Sequence, residues 1–242
     1  MTNKQLYANI EKILPKDQIF TDEILRLVKG TDAGLYRLVP KVVVKVDSEA
    51  EVTRLLTFCN TKKVPLTFKA GGTSLSGQTI SDSLLMEIGQ GFEFSSITDR
   101  GHTATFGCGL TGTAANRMLM RYKRKLGPKP ASIDSAKIGG IIANNSSGMN
   151  YGINHNCYHT VKSMRIIFAD GSLLDTGDKE SCRNFVATHR DLIFEIEEIH
   201  RQAIQNEKIK HKISKKFRLK NTCGYGVNAL IDFDDSIQII QH

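Results

Sequence analysis

Apolar residues at Leu6, Ile10, Ile13 and Leu14 fall three and four positions apart, which predicts a helix from Asn3 to Leu14, stopped by Pro15. A second short helix is expected over Asp22 to Lys29, with Gly30 just past its end. Val42 to Val46 is short and β-branched, hence a strand. Ser48-Glu49-Ala50-Glu51 has the spacing of a capping box, and Val52, Leu55, Leu56 and Cys59 carry a helix on to about Lys62. Val64 to Lys69 then returns as a strand, so residues 41–69 read as one β-α-β unit.

Further strands are expected at Ser83 to Ile88, Glu93 to Ile97 and His102 to Phe106, then a helix from Thr113 to Lys125 that ends before Gly127-Pro128. Residues 130–134 are irregular and 137–148 are rich in small side chains. Val161 to Ala169 and Ser172 to Asp175 flank Asp170-Gly171, a hairpin signal. Residues 191–207 predict an amphipathic helix with Leu192, Ile193, Ile196, Ile199 and Ile204 on its buried side. Strands and helices in this order make a mixed α+β chain without an internal repeat.

Composition narrows the class. With 242 residues, 40% hydrophobic and 24% charged, the chain is globular and long enough for one large domain or two lobes. Apolar runs such as Ile138 to Ala143 are too short to cross a bilayer, and no apolar stretch follows Met1-Thr2-Asn3-Lys4-Gln5 to act as a signal peptide. A cytoplasmic protein is the expectation. Five scattered cysteines with no Cys-x-x-Cys pair argue against a disulfide framework, a zinc site or an iron–sulfur cluster in this chain. The net charge of +8 is concentrated between residues 201 and 220, where eight Lys/Arg face one acid, Glu207. That segment is either a solvated face or an attractor of phosphates and anionic lipid.

Candidate chemistry begins at Lys69-Ala70-Gly71-Gly72-Thr73-Ser74-Leu75-Ser76-Gly77-Gln78. It follows an apolar run and holds three glycines, three hydroxyls and no acid. Successive backbone N–H groups can turn inward here to make an anion-binding nest of a length that suits a diphosphate. No Gly-Lys-Ser/Thr closes it, so it is not a Walker loop. A glycine-rich surface turn is the plainer alternative.

A second glycine motif, Gly107-Cys108-Gly109-Leu110-Thr111-Gly112, spells the dinucleotide fingerprint after a strand and before a helix. No second strand ending in a ribose-binding acid follows it, so a tight strand-to-helix turn is the better reading. The third cluster is Gly139-Gly140-Ile141-Ile142-Ala143-Asn144-Asn145-Ser146-Ser147-Gly148. Its small residues permit close approach to a flat ligand, and its Asn and Ser side chains supply donors and acceptors. Two such stretches imply a ligand with both a diphosphate and a ring.

From about Thr31 onward these motifs, in this order, resemble the FAD-linked oxidases of the vanillyl-alcohol oxidase/p-cresol methylhydroxylase superfamily, in the branch of D-lactate, glycolate and D-2-hydroxyglutarate dehydrogenases. The resemblance rests on Pro40 with Val42-Val43-Val44, the loop 70–78, Pro130-Ala131-Ser132, Ile138-Gly139-Gly140 with Ala143-Asn144-Asn145, and Asp170-Gly171. Thr31-Asp32-Ala33, Tyr36-Arg37 and Lys220-Asn221-Thr222 with Gly224-Tyr225-Gly226 look most like long members that carry a C-terminal iron–sulfur half.

The resemblance implies a PCMH-type FAD-binding domain of two α/β lobes: an N-terminal helical segment 1–37, a pyrophosphate-binding lobe 38–110 and a second lobe 111–242. It also implies that His242 falls just before the second lobe's closing strand. Ala70, Gly71, Gly72, Thr73, Ser74, Leu75, Ser76, Gly77 and Gln78 would then hold the pyrophosphate. Pro130, Ala131 and Ser132 would lie near the isoalloxazine. Lys137, Ile138, Gly139, Gly140, Ala143, Asn144 and Asn145 would follow the phosphate and ribitol, and Tyr158 to Val161 the adenine.

Two departures matter. Some relatives carry a flavin-linking histidine in the first loop where Thr73 and Ser74 stand here, so FAD is expected to be non-covalent. Many have threonine where Lys137 stands, and an ammonium is compatible with a phosphate.

The implied activity is oxidation of a small D-2-hydroxy acid, D-lactate first, with the substrate domain, the catalytic base and an iron–sulfur half outside residues 1–242. No catalytic residue is expected within them, and residues 1–242 alone would be inactive. A quinone is a possible acceptor, and peripheral attachment at the inner face of a membrane goes with it. Two alternatives remain. A UDP-N-acetylenolpyruvoylglucosamine reductase shares the lobes but takes electrons from NADPH. A nucleic-acid-binding module could use residues 201–220, but a single aromatic there, Phe217, leaves little to stack on, so nucleic acid is not the expected partner.

Overall fold

The computed structural model describes residues 2–148, 152–221 and 224–242. The chain forms two compact units: Met1–Leu126 with Ser132–Gly140 and Ile167–Ser172, and Gly127–Ala131 with Ile141–Ile166 and Leu173–His242.

The first unit is built on a four-stranded sheet. Helix α1 (Asn3–Ile10) precedes the short strand β1 (Ile19–Phe20) and helix α2 (Glu23–Lys29), capped by Asp22. Strand β2 (Val42–Val46), helix α3 (Glu49–Lys62) and strand β3 (Leu66–Lys69) form the expected β-α-β unit. Its two strands are not neighbours, however. Strand β4 (Leu84–Ile88) lies between them and pairs parallel to both, with Val42 and Leu66 each opposite Leu84. The side chains explain that order. Leu84, Leu85 and Met86 are fully buried on both faces, so β4 needs cover on both sides and a central place, whereas β3 leaves Phe68 43% exposed and takes the edge.

The sheet packs on Leu6, Ile10 and Leu14 of the N-terminal segment and on Val52, Leu55, Leu56 and Cys59 of α3. At about 25 cal/mol per Å², burying each such aliphatic side chain contributes roughly 1.5–3 kcal/mol, so α1 belongs to this core. It is shorter than its periodicity predicts, because the chain turns after Ile10 and Leu14 reaches the core from that turn.

Helix α3 begins in the predicted capping box, with Ser48 accepting from Glu51 N–H and Glu51 accepting from Ser48 N–H. It ends with Lys63 in the left-handed region (φ 52°), while Val64 N–H donates to Cys59 O and Lys63 N–H to Asn60 O.

Strands β5 (Ser95–Thr98) and β6 (Thr103–Phe106) pair antiparallel in a separate ribbon. Helix α4 (Gly112–Met120) follows, stopping short of the predicted Lys125. Lys123 adopts φ 55° there, and Arg124 N–H donates to Leu119 O, closing the helix early. Helix α5 (Ile138–Ala143) begins in the first unit and ends in the second.

Helix α6 (Cys157–Thr160) ends just before the predicted strand 161–169, of which residues 161–164 are irregular and only Arg165–Ile167 form strand β7, paired with β8 (Leu173–Asp175). The predicted turn is present: Phe168 N–H donates to Ser172 O, and Asp170 Oδ1 accepts from Ser172 N–H. Helices α7 (Lys179–Thr188), α8 (Arg190–Gln205), α9 (Glu207–Phe217), α10 (Ala229–Asp232) and α11 (Ser236–Gln241) complete the second unit. In α8 the buried residues are Ile193 and Ala203, and Ile199 is 51% exposed rather than buried. Six residues on from Ile193, at ~100° each, Ile199 lies about 120° away around the helix.

Candidate functional site

The glycine loop 70–78 leaves the C-terminal end of edge strand β3. Among the described residues, the N–H groups of Gly71, Gly72, Thr73, Ser74 and Leu75 donate to no protein acceptor. The loop is instead fixed by its carbonyls and side chains. Ala33 N–H donates to Ser74 O at 3.0 Å, the Ser74 hydroxyl bonds the Gln78 amide oxygen, and Gly34 packs so tightly that a Cβ would sit 2.6 Å from Leu75 O. A Cβ on Gly71 would sit 2.2 Å from Ser135 O, which brings the loop against the turn in which Ser132 O accepts from Ser135 and Ala136 N–H.

Beneath the loop lies a residue that the pattern of apolar positions did not single out. Lys69 is 8% exposed, and its ammonium donates to Lys29 O at 2.8 Å and Thr31 O at 2.5 Å. Desolvation holds its pKa below the ordinary lysine value, partly offset by the charge of Glu87, which itself pairs with Lys29 at 2.8 Å. Lys69 thereby ties the end of α2 and the strap 31–34 to the base of the loop. Asp32 Oδ1 caps Gly34 N–H at 2.7 Å within the same strap. The sequence signal was a lone lysine closing an apolar strand, a place where a charged group must find partners.

The fingerprint-like glycines behave differently. Gly107 N–H donates to Phe94 O, Gly109 N–H to Phe92 O and Gly112 N–H to Ala136 O, so this turn has spent its donors within the protein. A Cβ on Gly107 would lie 2.0 Å from Phe92 O, which accounts for the glycine by packing. The preceding strand β6 is in an antiparallel ribbon, not the parallel sheet a dinucleotide fold requires.

Lys137 is also committed to the fold. Its ammonium donates to Ile88 O at 3.0 Å and lies 3.8 Å from Glu93. Ile138 and Gly139 N–H groups donate to Leu110 O and Cys108 O, whereas Gly140 is exposed, with nothing within 4 Å of a Cβ built on it.

In the second unit, Ala143, Asn145 and Val161 line one pocket of about 400 Å³, with Cys157, Tyr158, the stretch 224–227 and His242 among its other walls. Asn145 adopts φ 44°, and its side chain accepts from Tyr158 N–H at 3.0 Å, so it shapes the pocket rather than leaving its amide oxygen free. Asn144 stays exposed. The Tyr158 hydroxyl donates to Asp232 at 2.7 Å, and burial with that carboxylate pushes the phenol well above its ordinary pKa. Burial likewise pushes the Cys157 thiol up to about 12. Pro130 is half-buried and Ala131 exposed. Of the C-terminal motif, Thr222 lies outside the described residues.

What the loop 70–78 offers is a row of unpaired, half-exposed N–H donors with no carboxylate among its side chains. Gly72 holds φ 63°, and a cation lies immediately behind. That donor set fits a diphosphate.

The FAD binding domain family matches residues 40–177. The D-lactate dehydrogenase of Archaeoglobus fulgidus is 29% identical over 180 residues, covering 72% of this chain and 38% of that protein. Glycolate oxidase subunit GlcD of Bacillus subtilis is 28% identical over 160 residues, covering 64% of this chain and 33% of that protein. The chain thus spans about a third of the length of these relatives. Among solved structures, an alkyldihydroxyacetonephosphate synthase superposes with a TM-score of 0.61 at 19% identity, covering 71% of this chain and 34% of that one. The pollen allergen Phl p 4 gives 0.60 at 13%, covering 73% and 39%. The chain belongs to the FAD binding domain family, within the FAD-linked oxidases.

Proposed function

We propose that this chain is the FAD-holding part of a flavin-dependent D-2-hydroxy-acid dehydrogenase acting on D-lactate. The observation that carries the reading is the glycine loop 70–78, where the N–H groups of Gly71 to Leu75 find no acceptor among the described residues, in a chain related to a D-lactate dehydrogenase. When bound, FAD supplies a two-electron acceptor for the hydride on the substrate's α-carbon.

The protein's work here is binding and orientation. The N–H groups of Gly71 to Leu75 take the diphosphate, and the buried Lys69 adds positive potential from below while fixing the strap that holds the loop. Gly140 leaves open space for a ring or sugar to lie close to the backbone. Ala143, Asn145 and Val161 line a pocket of their own in the second unit. Lys137, already bonded to Ile88 O, acts as a staple of the first unit rather than as the phosphate ligand. Thr73 and Ser74 offer no imidazole for a flavin linkage, so the cofactor is non-covalent. Substrate binding and the base that removes the hydroxyl proton belong to the larger part of such enzymes that this chain does not match, and so does any iron–sulfur relay to an acceptor such as a quinone.

The test is anaerobic addition of D-lactate to the flavin-loaded protein in the context of its substrate domain. Bleaching of the flavin band by D-lactate is expected. Bleaching by NADPH alone would replace this reading with a nicotinamide-dependent reductase. Acid precipitation should leave all yellow colour in the supernatant, and colour in the pellet would overturn the non-covalent assignment.

A further inference from the structure

We propose that helix α9 docks the protein on an anionic phospholipid surface. The helix runs Glu207–Phe217 and has no buried residue along its length. At ~3.6 residues per turn, Lys208, Lys212, Lys215 and Lys216 fall on one face, spaced i, i+4, i+7 and i+8, while Ile209, Ile213 and Phe217 form a separate stripe at i, i+4 and i+8.

The apolar stripe is half-covered at Ile213 and Phe217, and the basic face is exposed throughout. Two apolar side chains stand free at its ends, Ile209 at 44% exposure and Leu219 at 72%. Glu207, the single acid in the helix, sits in its first turn, at the opposite end from Lys215 and Lys216. Among the described residues none of the four lysines enters an ion pair, whereas Arg201 pairs with Glu198 and Lys220 donates to Gly148 O. The bonds that form thus use cations outside the helix, and Lys208, Lys212, Lys215 and Lys216 stay exposed, with Lys210 half-buried on another side.

A basic amphipathic helix with exposed apolar ends matches an anionic interface in two ways. Its lysines meet headgroup phosphates, and their methylene stems let the ammonium groups reach the headgroups while Ile209 and Leu219 enter the acyl boundary. A nucleic acid shares the phosphates but asks for stacking surfaces. The one aromatic, Phe217, is half-buried on the other stripe.

The experiment is co-sedimentation of the flavin-loaded protein with vesicles of phosphatidylcholine alone and of phosphatidylcholine with phosphatidylglycerol, at low and high salt. Binding to the anionic vesicles alone is expected, falling steeply with salt. Replacing Lys208, Lys212, Lys215 and Lys216 together by Gln should cut the partition coefficient at least tenfold with unchanged circular dichroism and flavin content. A control replacing Lys4, Lys12, Lys62 and Lys179 by Gln removes the same net charge from elsewhere and should change partitioning less than threefold. Equal losses in the two variants, absence of binding to anionic vesicles, or tighter retention by single-stranded RNA at matched salt would each overturn the proposal.

Discussion

Gly72→Ala is the perturbation that separates a cofactor cradle from an ordinary surface turn. Gly72 sits at φ 63°, and a Cβ there would lie 2.9 Å from Lys69 Cε. Lys69 cannot easily give way, because its ammonium is anchored to Lys29 O and Thr31 O in a nearly closed pocket. Holding an L-residue in the left-handed region costs roughly 1–2 kcal/mol, before the contact with Lys69 is counted. The chain can meet that cost in two ways. It can keep the loop and lose stability, or let the loop relax to negative φ and lose the N–H array.

Among the described residues the N–H groups of Gly71 to Leu75 make no bonds to protein, so relaxation there breaks no N–H hydrogen bond in the flavin-free state. The loss should therefore appear in affinity: a 1–2 kcal/mol strain re-imposed by the ligand raises the FAD dissociation constant about 5- to 30-fold. Titration by quenching of flavin fluorescence measures it, and a urea melt of the flavin-free protein should move little. Gly107→Ala is the contrast, since its Cβ would sit 2.0 Å from a backbone carbonyl and its N–H is already bonded, so that variant should lose stability first. A Gly72→Ala protein with FAD affinity within twofold of the parent would refute the assignment of this loop. So would one in which only the urea midpoint fell.

Two further outcomes follow from the buried titratable groups. Lys69 has its pKa lowered in the folded state, so between that value and the ordinary 10.5 the unfolded chain binds more protons; stability should rise with pH across that window, and Lys69→Met should abolish the rise while costing roughly 1–3 kcal/mol for the carbonyls left without a donor. A pH series of urea melts in which the parent and Lys69→Met run parallel would contradict the buried-ammonium account. Burial holds the Cys59 thiol at about 11 and Cys157 at about 12, so both should resist iodoacetamide at neutral pH and react only on unfolding; rapid labelling of either in the native protein, read by peptide mass, would show that its site opens.

How much of this was readable in advance differs between local and distant causes. The caps of α2 and α3, strands β2 and β4 and the Asp170-Gly171 turn depend on neighbours within a few residues, and pattern alone placed them. The premature ends of α1 and α4, and the exposure of Ile199, depend on which side of an element finds a partner, which periodicity does not state. The two glycine motifs show the same divide within the site. Loops 70–78 and 107–112 each place three glycines after a strand, and only the missing ribose-binding acid spoke against the second. What distinguishes them is where their N–H groups point. The acceptors that silence Gly107 and Gly109 are Phe94 O and Phe92 O, set opposite by the pairing of β5 with β6, and the acceptor for Gly112 is Ala136 O, some twenty residues later. Among the described residues no acceptor meets the N–H groups of 71–75; the strap 31–34 approaches the carbonyl of Ser74 instead, and Lys69 fixes that strap from beneath. A nest is therefore not a property of glycine spacing. It is defined by an absence of competing acceptors, and that absence is written in the sheet pairing and in one buried lysine.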